Sequence, residues 1–539
     1  MALSPINLSD IDAGTGGFVI VGQVSNDRTG RSVASAGDIN GDGFDDLIVG
    51  SYSAQSPNGT NAGRSYVIFG QATGFGATVD LTAVADGTGG FVLNGENFYD
   101  GFGWSVASAG DINGDGFHDF IVGALNADRP GINYTGKSYV VFGKASGFPA
   151  SIEAADLNAG TGGFAISGLA KFDSFGASVA SAGDVNGDGL DDLIIGAKDH
   201  DPAGGSGAGA SYVIFGRTTG FGATVQLNDI VAGTGGFVIN GIDAGDGSGF
   251  SVASAGDING DGLDDLIIGA PNANSSGLAA AGESYVVFGK ATGFGASINL
   301  SAVAAGTGGF IINAQGAVDQ EGRSVSSAGD INGDGFDDLL IGARAATTAG
   351  GSYAGKSYVV FGQAAGFGAS VNLATIAAGT GGFVINGQAA GDNSGMSVAT
   401  AGDLNGDGFD DIIIGAGFAS LPSESTAGKS YVVFGKAGRF GASINLSTIE
   451  AGTGGFVING RFAADQSGQA VAAAGDVDGD GFDDLIIGAP GGDSNYAGAN
   501  VGKSYVVLGR DFTSTVTHAG SNVSETLTGG CDSTLWGVL

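Results

Sequence analysis

A single cysteine, Cys531, excludes a disulfide framework, so any cross-linking of this chain must come from elsewhere. Proline is scarce, with 8 residues against 108 glycines, and the glycines follow no strict Gly-X-Y order. Neither a collagen nor a Pro-rich linker protein is therefore compatible with it. Positive charge is scarce too. Nineteen Lys and Arg face 55 Asp and Glu, for a net charge of −36, which argues against nucleic acid as a partner and against anionic membrane surfaces. No apolar run approaches the roughly 18 residues of a membrane span, so no membrane insertion is expected. Met1–Ile20 holds no basic-plus-apolar leader, and a Sec-type signal is not expected. Histidine occurs only as His118, His200 and His518, none with an evident catalytic partner. No phosphate-binding glycine loop or zinc pattern is present.

What is abundant is repetition. The nonapeptide Asp-Ile-Asn-Gly-Asp-Gly-Phe-Asp-Asp at 38–46 returns six times, nearly unchanged, at an interval of 73 residues, starting at Asp111, Asp184, Asp257, Asp330, Asp403 and Asp476. A fixed period makes one architecture out of a length that would otherwise suggest several domains. Within a unit, Ser32–Ala36, Asp46–Gly50, Ser65–Gly70 and Phe91–Asn94 read as strands. Residues 71–90 join the third to the fourth, and residues 77–81 add a short extra strand. No segment shows helical periodicity. The expected fold class is all-β: a seven-bladed β-propeller with four antiparallel strands per blade. A solenoid would need atypical end units, and the first and last units here look like the middle ones. The N-terminal Gly-Gly-Phe-Val-Ile (16–20) lacks an inner strand before it, and the last unit lacks a fourth strand. The N-terminal strand is therefore expected to complete the last blade. The propeller occupies residues 1–510 and a separate tail 511–539.

Oxygen donors at positions 1, 3 and 5, a glycine at 6 and an Asp at 9 form a cage for a hard cation, and their number and charge suit Ca²⁺ better than Mg²⁺. In the first loop the expected ligands are Asp38, Asn40, Asp42, the Phe44 carbonyl and Asp46. The second offers Asp111, Asn113, Asp115, Phe117 and Asp119, and the third Asp184, Asn186, Asp188, Leu190 and Asp192. The fourth offers Asp257, Asn259, Asp261, Leu263 and Asp265, and the fifth Asp330, Asn332, Asp334, Phe336 and Asp338. The sixth offers Asp403, Asn405, Asp407, Phe409 and Asp411, and the seventh Asp476, Asp478, Asp480, Phe482 and Asp484. About seven Ca²⁺ sites are thus expected, and they would cancel more than a third of the net charge. His118 stands at position 8 of the second loop, where the others have Asp, and is not expected to touch metal. Asp478 replaces the usual Asn at position 3 and adds a charge. A further Asp recurs 11 residues before each loop (Asp27, Asp100, Asp173, Asp246, Asp319, Asp392 and Asp465). Its presence in every unit points to a structural role, such as accepting backbone N–H bonds in a turn.

These residues resemble the FG-GAP repeat family, the blades of integrin α-subunit propellers and their bacterial relatives. The elements of the name stand as Phe102-Gly103 and Gly269-Ala270-Pro271, and the run from Phe175 to Ala197 matches almost throughout. The resemblance implies a seven-bladed propeller with calcium in the loops between strands one and two. Unlike integrins, this chain carries the loop in every blade, and heterodimer formation is not carried over. The tail segment from Glu525 to Gly537 resembles the opening of an RTX nonapeptide β-roll, whose bearers leave bacteria by type I secretion without an N-terminal signal. A secreted or cell-surface location, bacterial in kind, is the corresponding expectation.

Loops two-to-three and four-to-one share one face of the disc and vary from blade to blade, the usual place for recognition on a rigid scaffold. Its ligand-face candidates are Tyr99, Trp104, Arg129, Tyr134, Phe172, His200, Phe418 and Phe462, with Asn97, Phe98, Phe102, Asn133, Asp201, Tyr353, Arg461 and Tyr496 beside them. The expected function is a non-enzymatic calcium-binding extracellular module for adhesion or for recognition of a glycan or protein ligand. A surface-layer or matrix protein that self-assembles through calcium is the alternative to such a monomer. A polysaccharide-active enzyme using two unmatched loop acids is the remaining one.

Overall fold

A computed structural model describes residues 3–73, 75–202, 204–493 and 499–512. Seven sheets form the ring, each with four antiparallel strands, in sequence order in all but the sheet that closes the ring. The first blade pairs Ser32–Gly37, Asp46–Ser51, Arg64–Ile68 and Gly90–Asn94. Both faces of every sheet pack against a neighbouring blade, which is why the second strand is apolar without alternation. All six residues of Asp46–Ser51 are buried. The core is consequently divided among seven seams; one joins Ile39, Ile48 and Phe91 of the first blade to Val106, Val122 and Tyr139 of the second. The first strands line the axial channel, where their serine-and-alanine stretch keeps the side chains small below the mouth. Ser32 Oγ accepts the Val106 N–H of the next blade (3.0 Å), and the same contact recurs from Ser178 to Val252.

Each sheet carries a fifth strand that the simple four-strand expectation lacks. The short strand expected at residues 77–81 forms as Thr78–Asp80, but it pairs in parallel with Gly17–Val21 of the preceding blade. A one-turn helix, Leu81–Ala85, follows, and equivalents recur in all seven units. These helices correct the reading that no segment is helical. At five residues they are too short to show a period, and the pair Leu81 and Val84 is all that faces the core. The same connection sends Phe75 back to stack on Phe18 of the preceding blade, centroids 4.2 Å apart. Phe148 stacks likewise on Phe91, Phe221 on Phe164 and Phe294 on Phe237. Each unit thus holds its predecessor by a strand, a helix and a ring, and this explains a period longer than the roughly 40–50 residues of ordinary blades.

The ring closes as expected. Gly17–Val21 pairs antiparallel with Lys503–Val507 and becomes the fourth strand of the seventh blade. Ahead of it, Ile6–Asn7 adds the fifth strand to the sixth blade, where Phe512 from the other end of the chain stacks on Phe456. The first and last described segments therefore meet within a single three-to-four connection. The RTX-like segment, Cys531 and Tyr496 lie outside the described residues.

Phe18, Val19 and Ile20 are at most 1 % exposed. At about 1.5–3 kcal/mol for each buried apolar side chain, deleting residues 1–23 removes on the order of 5–9 kcal/mol, a large part of an ordinary domain's stability. Thermal denaturation should therefore show the truncated chain unfolded or melting far below the full chain; equal melting temperatures would show that another contact closes the ring.

Candidate functional site

Each acidic loop bridges the first and second strands and is organised by its own carboxylates. Asp38 Oδ1 accepts N–H bonds from Gly41 (2.7 Å) and Asp42 (3.0 Å), and Oδ2 accepts one from Gly43 (2.9 Å). Asp42 Oδ1 accepts from the Phe44 N–H. Asp46 opens the second strand with no exposed surface. Its Oδ2 accepts from Ile39 N (3.1 Å), and its Oδ1 from Gly70 N (2.8 Å) beyond the third strand. The bond to a glycine after the third strand recurs at Asp119, Asp192, Asp265, Asp338, Asp411 and Asp484.

Burial, reinforced by the neighbouring Asp42 and Asp38, pushes the Asp46 carboxyl up to about 8. Its counterparts Asp119, Asp192, Asp265, Asp338 and Asp484 also rise to about 8, and Asp411 to about 9. Such groups need a proton or a cation. The donor set fits a hard divalent cation, being oxygen throughout. Asn405 Oδ1 is buried without a hydrogen-bond partner in the sixth loop. In the seventh, carboxylate oxygens of Asp476, Asp478 and Asp484 lie within 4.8 Å of one another.

Position 8 has a separate task. Asp111 N donates to Asp191 Oδ2 of the following blade at 2.8 Å, and the same bond joins Asp184 to Asp264, Asp257 to Asp337 and Asp403 to Asp483. Asp476 to Asp45 closes the ring, and Asp38 N uses His118 Nδ1 as its acceptor. Where a second bond returns, as from Asp264 N to Asp184 O, the loops of adjacent blades are clasped twice. The glycine before each loop makes room for the clasp: Gly110 has φ of +64°, and a Cβ there would lie 2.2 Å from Asp191 Oδ2. His118 thus serves as an acceptor between blades. The sequence signal was available, since position 8 is regularly acidic and yet redundant for the cage.

The upstream aspartates cap their turns. Asp100 Oδ2 accepts from Asn97 N (2.9 Å) and Asp27 Oδ2 from Val24 N (3.0 Å). Burial raises Asp27 and Asp465 to about 6 and Asp100 to about 7.

The ligand-face candidates do not form one patch. Tyr99 is exposed and meets Phe98 edge-on at 4.2 Å, and Asn97 lies in the turn of Asp100. Tyr134 and Phe172 stack at 5.6 Å, with Lys171 over the Phe172 ring, and share a groove with Asp201. Arg129 donates to the carbonyls of Gly168 and Leu169, while Asn133 and Tyr353 are exposed. His200 packs inward, its Nδ1 3.0 Å from Asp173 Oδ2. Phe462 is exposed beneath the Arg461 guanidinium. Trp104 and Phe418 line the mouth of the axial channel. Phe102 is a correction: it is fully buried against Tyr139 in the seam between blades and offers nothing to a ligand.

The FG-GAP repeat pattern matches residues 29–68, 102–141, 175–214, 248–287, 322–360, 394–433 and 467–507, just over half of the chain. The chain belongs to the FG-GAP repeat family. Among similar proteins, the phosphatidylinositol-glycan-specific phospholipase D of Dictyostelium discoideum is 30% identical over 233 residues, which cover 42% of this chain and 23% of that protein. Mouse integrin alpha-IIb is 34% identical over 189 residues, 34% of this chain and 16% of the integrin. Integrin alpha pat-2 of Caenorhabditis elegans is 32% identical over 179 residues, 31% and 13% respectively. The matches span less than a quarter of each relative's length. The FG-GAP repeats thus occur both in a protein named for an enzymatic activity and in integrins. Among the described residues no helix is long and apolar enough to cross a membrane.

Two outcomes follow from this geometry. A carboxyl at about 8 when folded and about 4 when unfolded makes the folded chain bind more protons between those values, so stability falls as pH rises through that window. In chelator, the melting temperature should drop steadily from about pH 5 to about pH 8; in millimolar Ca²⁺, a shallower dependence should remain from raised carboxyls outside the cages, Glu321, Asp27, Asp100 and Asp465 among them. A melting temperature in chelator that holds or rises across the window would contradict this. Separately, Asp191→Ala should cost about 1–2 kcal/mol in denaturant unfolding with the number of bound cations unchanged. Loss of one cation instead would make position 8 a ligand.

Proposed function

We propose that this chain is a calcium-stabilised extracellular interaction module, secreted or displayed at a cell surface, that recognises a glycan or protein through its variable-loop face and carries out no catalysis. The observation that carries this reading is the set of seven buried carboxylates, one per blade, each in an all-oxygen loop. In the first loop Asp38, Asn40, Asp42, the Phe44 carbonyl and Asp46 would hold the ion, and the corresponding residues would do so in the others. A bound cation would supply the positive charge that the buried carboxyls otherwise take from protons.

Recognition is assigned to the opposite face because the metal-loop face is nearly the same in every blade. The variable face instead exposes Phe98, Tyr99, Tyr134, Phe172, Tyr353 and Phe462. Aromatic rings beside polar loop groups stack on sugars and bury well against proteins. The described histidines are engaged structurally, His118 in the clasp and His200 with Asp173. The activity named in the phospholipase relative is not assigned here, since only 23% of that protein is matched.

Native mass spectrometry in calcium should show about seven cations per chain, and one fewer after Asp411→Asn; a chain that stays cation-free would refute the metal assignment. A glycan and matrix-protein array should give selective capture in millimolar Ca²⁺, lost in chelator and reduced at least tenfold by alanine at Tyr99 or Tyr134. Concentration-dependent assembly on a blank array would instead favour a self-assembling matrix protein, and turnover of an acidic polysaccharide would make the chain an enzyme.

A further inference from the structure

The axial channel opens on the variable face through a cavity of about 590 Å³. Each blade contributes to the rim the residue just before its first-strand serine, or before Ala470 in the seventh. That position is Arg31, Trp104, Phe250 and Arg323 in the first, second, fourth and fifth blades. Arg344 joins them from the end of a second strand, as does Lys198, which is ion-paired with Asp199. No Asp or Glu lines the cavity, in a chain where acids outnumber bases nearly threefold. Scarce positive charge has been gathered at one point of an acidic disc.

The arginines there are not neutralised. Among the described residues, Arg31, Arg323 and Arg344 form no ion pair with a carboxylate. Arg31 lies over the Trp104 ring at 4.9 Å, and Arg323 over Phe250 at 4.1 Å. Tyr52 meets Trp104 edge-on at 4.9 Å and fixes that ring. Stacking engages the face of a guanidinium and leaves its N–H edge for a planar anion. Burial, with Arg344 and Arg31 nearby, depresses the Arg323 pKa to about 10, the direction of a cation short of counter-charge. Below the rim, the serine hydroxyls accept N–H bonds from the next blade, as Ser251 does from Val325 and Ser324 from Val398. An oxygen used as acceptor still has its own O–H to donate. The wall therefore presents donors and cations, with aromatic faces between them.

We propose that the channel mouth binds the acidic end of a saccharide, a uronate or sulfated sugar. Its carboxylate or sulfate sits among Arg31, Arg323 and Arg344, and its ring against Trp104 or Phe250. The cavity has the size of a small-ligand site, and its aromatic faces between cations suit a ring that carries an anionic group. This deepens the recognition reading given above and rests on it, placing the specificity-determining contact at the axis.

The test uses the full chain in millimolar Ca²⁺. Trp536 is the only other tryptophan, so a Trp536→Phe background leaves Trp104 as the reporter of the mouth. Digalacturonate and galactose 6-sulfate should change Trp104 emission saturably, and neutral galactose should not. Added salt should weaken binding, as for an electrostatic contact. Arg31→Gln and Arg323→Gln should each weaken it at least tenfold with the melting temperature in calcium unchanged, and Arg323→Lys should recover part of the loss. A tri-aspartate peptide bound as tightly as digalacturonate would overturn the saccharide assignment. Capture on the array that depends on Tyr99 and Tyr134 but ignores both arginine variants would overturn the mouth while leaving the recognition reading intact. A folded, calcium-loaded chain that binds neither acidic sugar would also overturn it.

Discussion

A carboxylate at the head of every second strand, with no exposure to water, is the constraint from which the rest of the ring follows. Asp46 reaches in two directions, to the amide of Ile39 in its own loop and to the amide of Gly70 beyond the third strand. Two backbone donors offset only part of the cost of removing a charge from water, so the group requires a proton or a cation as well. The same bond to Gly70 fixes the start of the three-to-four connection, the segment that supplies a strand, a helix and a phenylalanine to the preceding blade. Ionic state at one end of a blade is thereby coupled to the hold on its neighbour.

Closure shows the same economy. The first and last described segments fall in one connection, with Ile6–Asn7 added to the sixth blade, Phe512 stacked on Phe456 there, and Gly17–Val21 in the seventh. The break lies where a connection already bridges two blades, so each end is held by contacts that every other blade also has. The clasp from Asp476 to Asp45 then gives this junction the same inter-blade bond as the others.

The period, the loops and the closing strand are legible in the sequence because each is a local pattern or a consequence of counting. What escapes is what pairs at a distance or is too brief to show a period. Thr78–Asp80 reads as a strand, but nothing local says that its partner is Gly17–Val21 of another blade. Leu81–Ala85 offers one i, i+3 apolar pair, which any loop could contain. Phe102 looks like an exposed aromatic in a variable loop but is core, because its strand begins before the glycine that follows it. The channel mouth is the least local of these features. Arg31, Phe250 and Arg323 are separated by multiples of the period, each inside a stretch whose neighbours are nearly constant. Only aligning the units on their first-strand serine brings those residues into one column.

Repetition itself limits where specificity can reside. A position that is the same in seven blades presents itself seven times around the axis, so it can stabilise the ring but cannot orient an asymmetric ligand. The cages, the clasps, the turn-capping aspartates and the phenylalanine stacks are all of this kind. Recognition needs positions where the units differ, and it needs several of them within reach of one molecule. The outer loops differ but diverge: Tyr134 and Phe172 form one group, Phe462 another, and among the described residues no ring contact joins them. At the axis the geometry reverses, since one residue from each blade converges on a single cavity and the column there is among the least uniform in the repeat. A propeller that keeps its symmetric positions for stability is thus left with its axis as the place where unlike residues from different blades can act on one ligand.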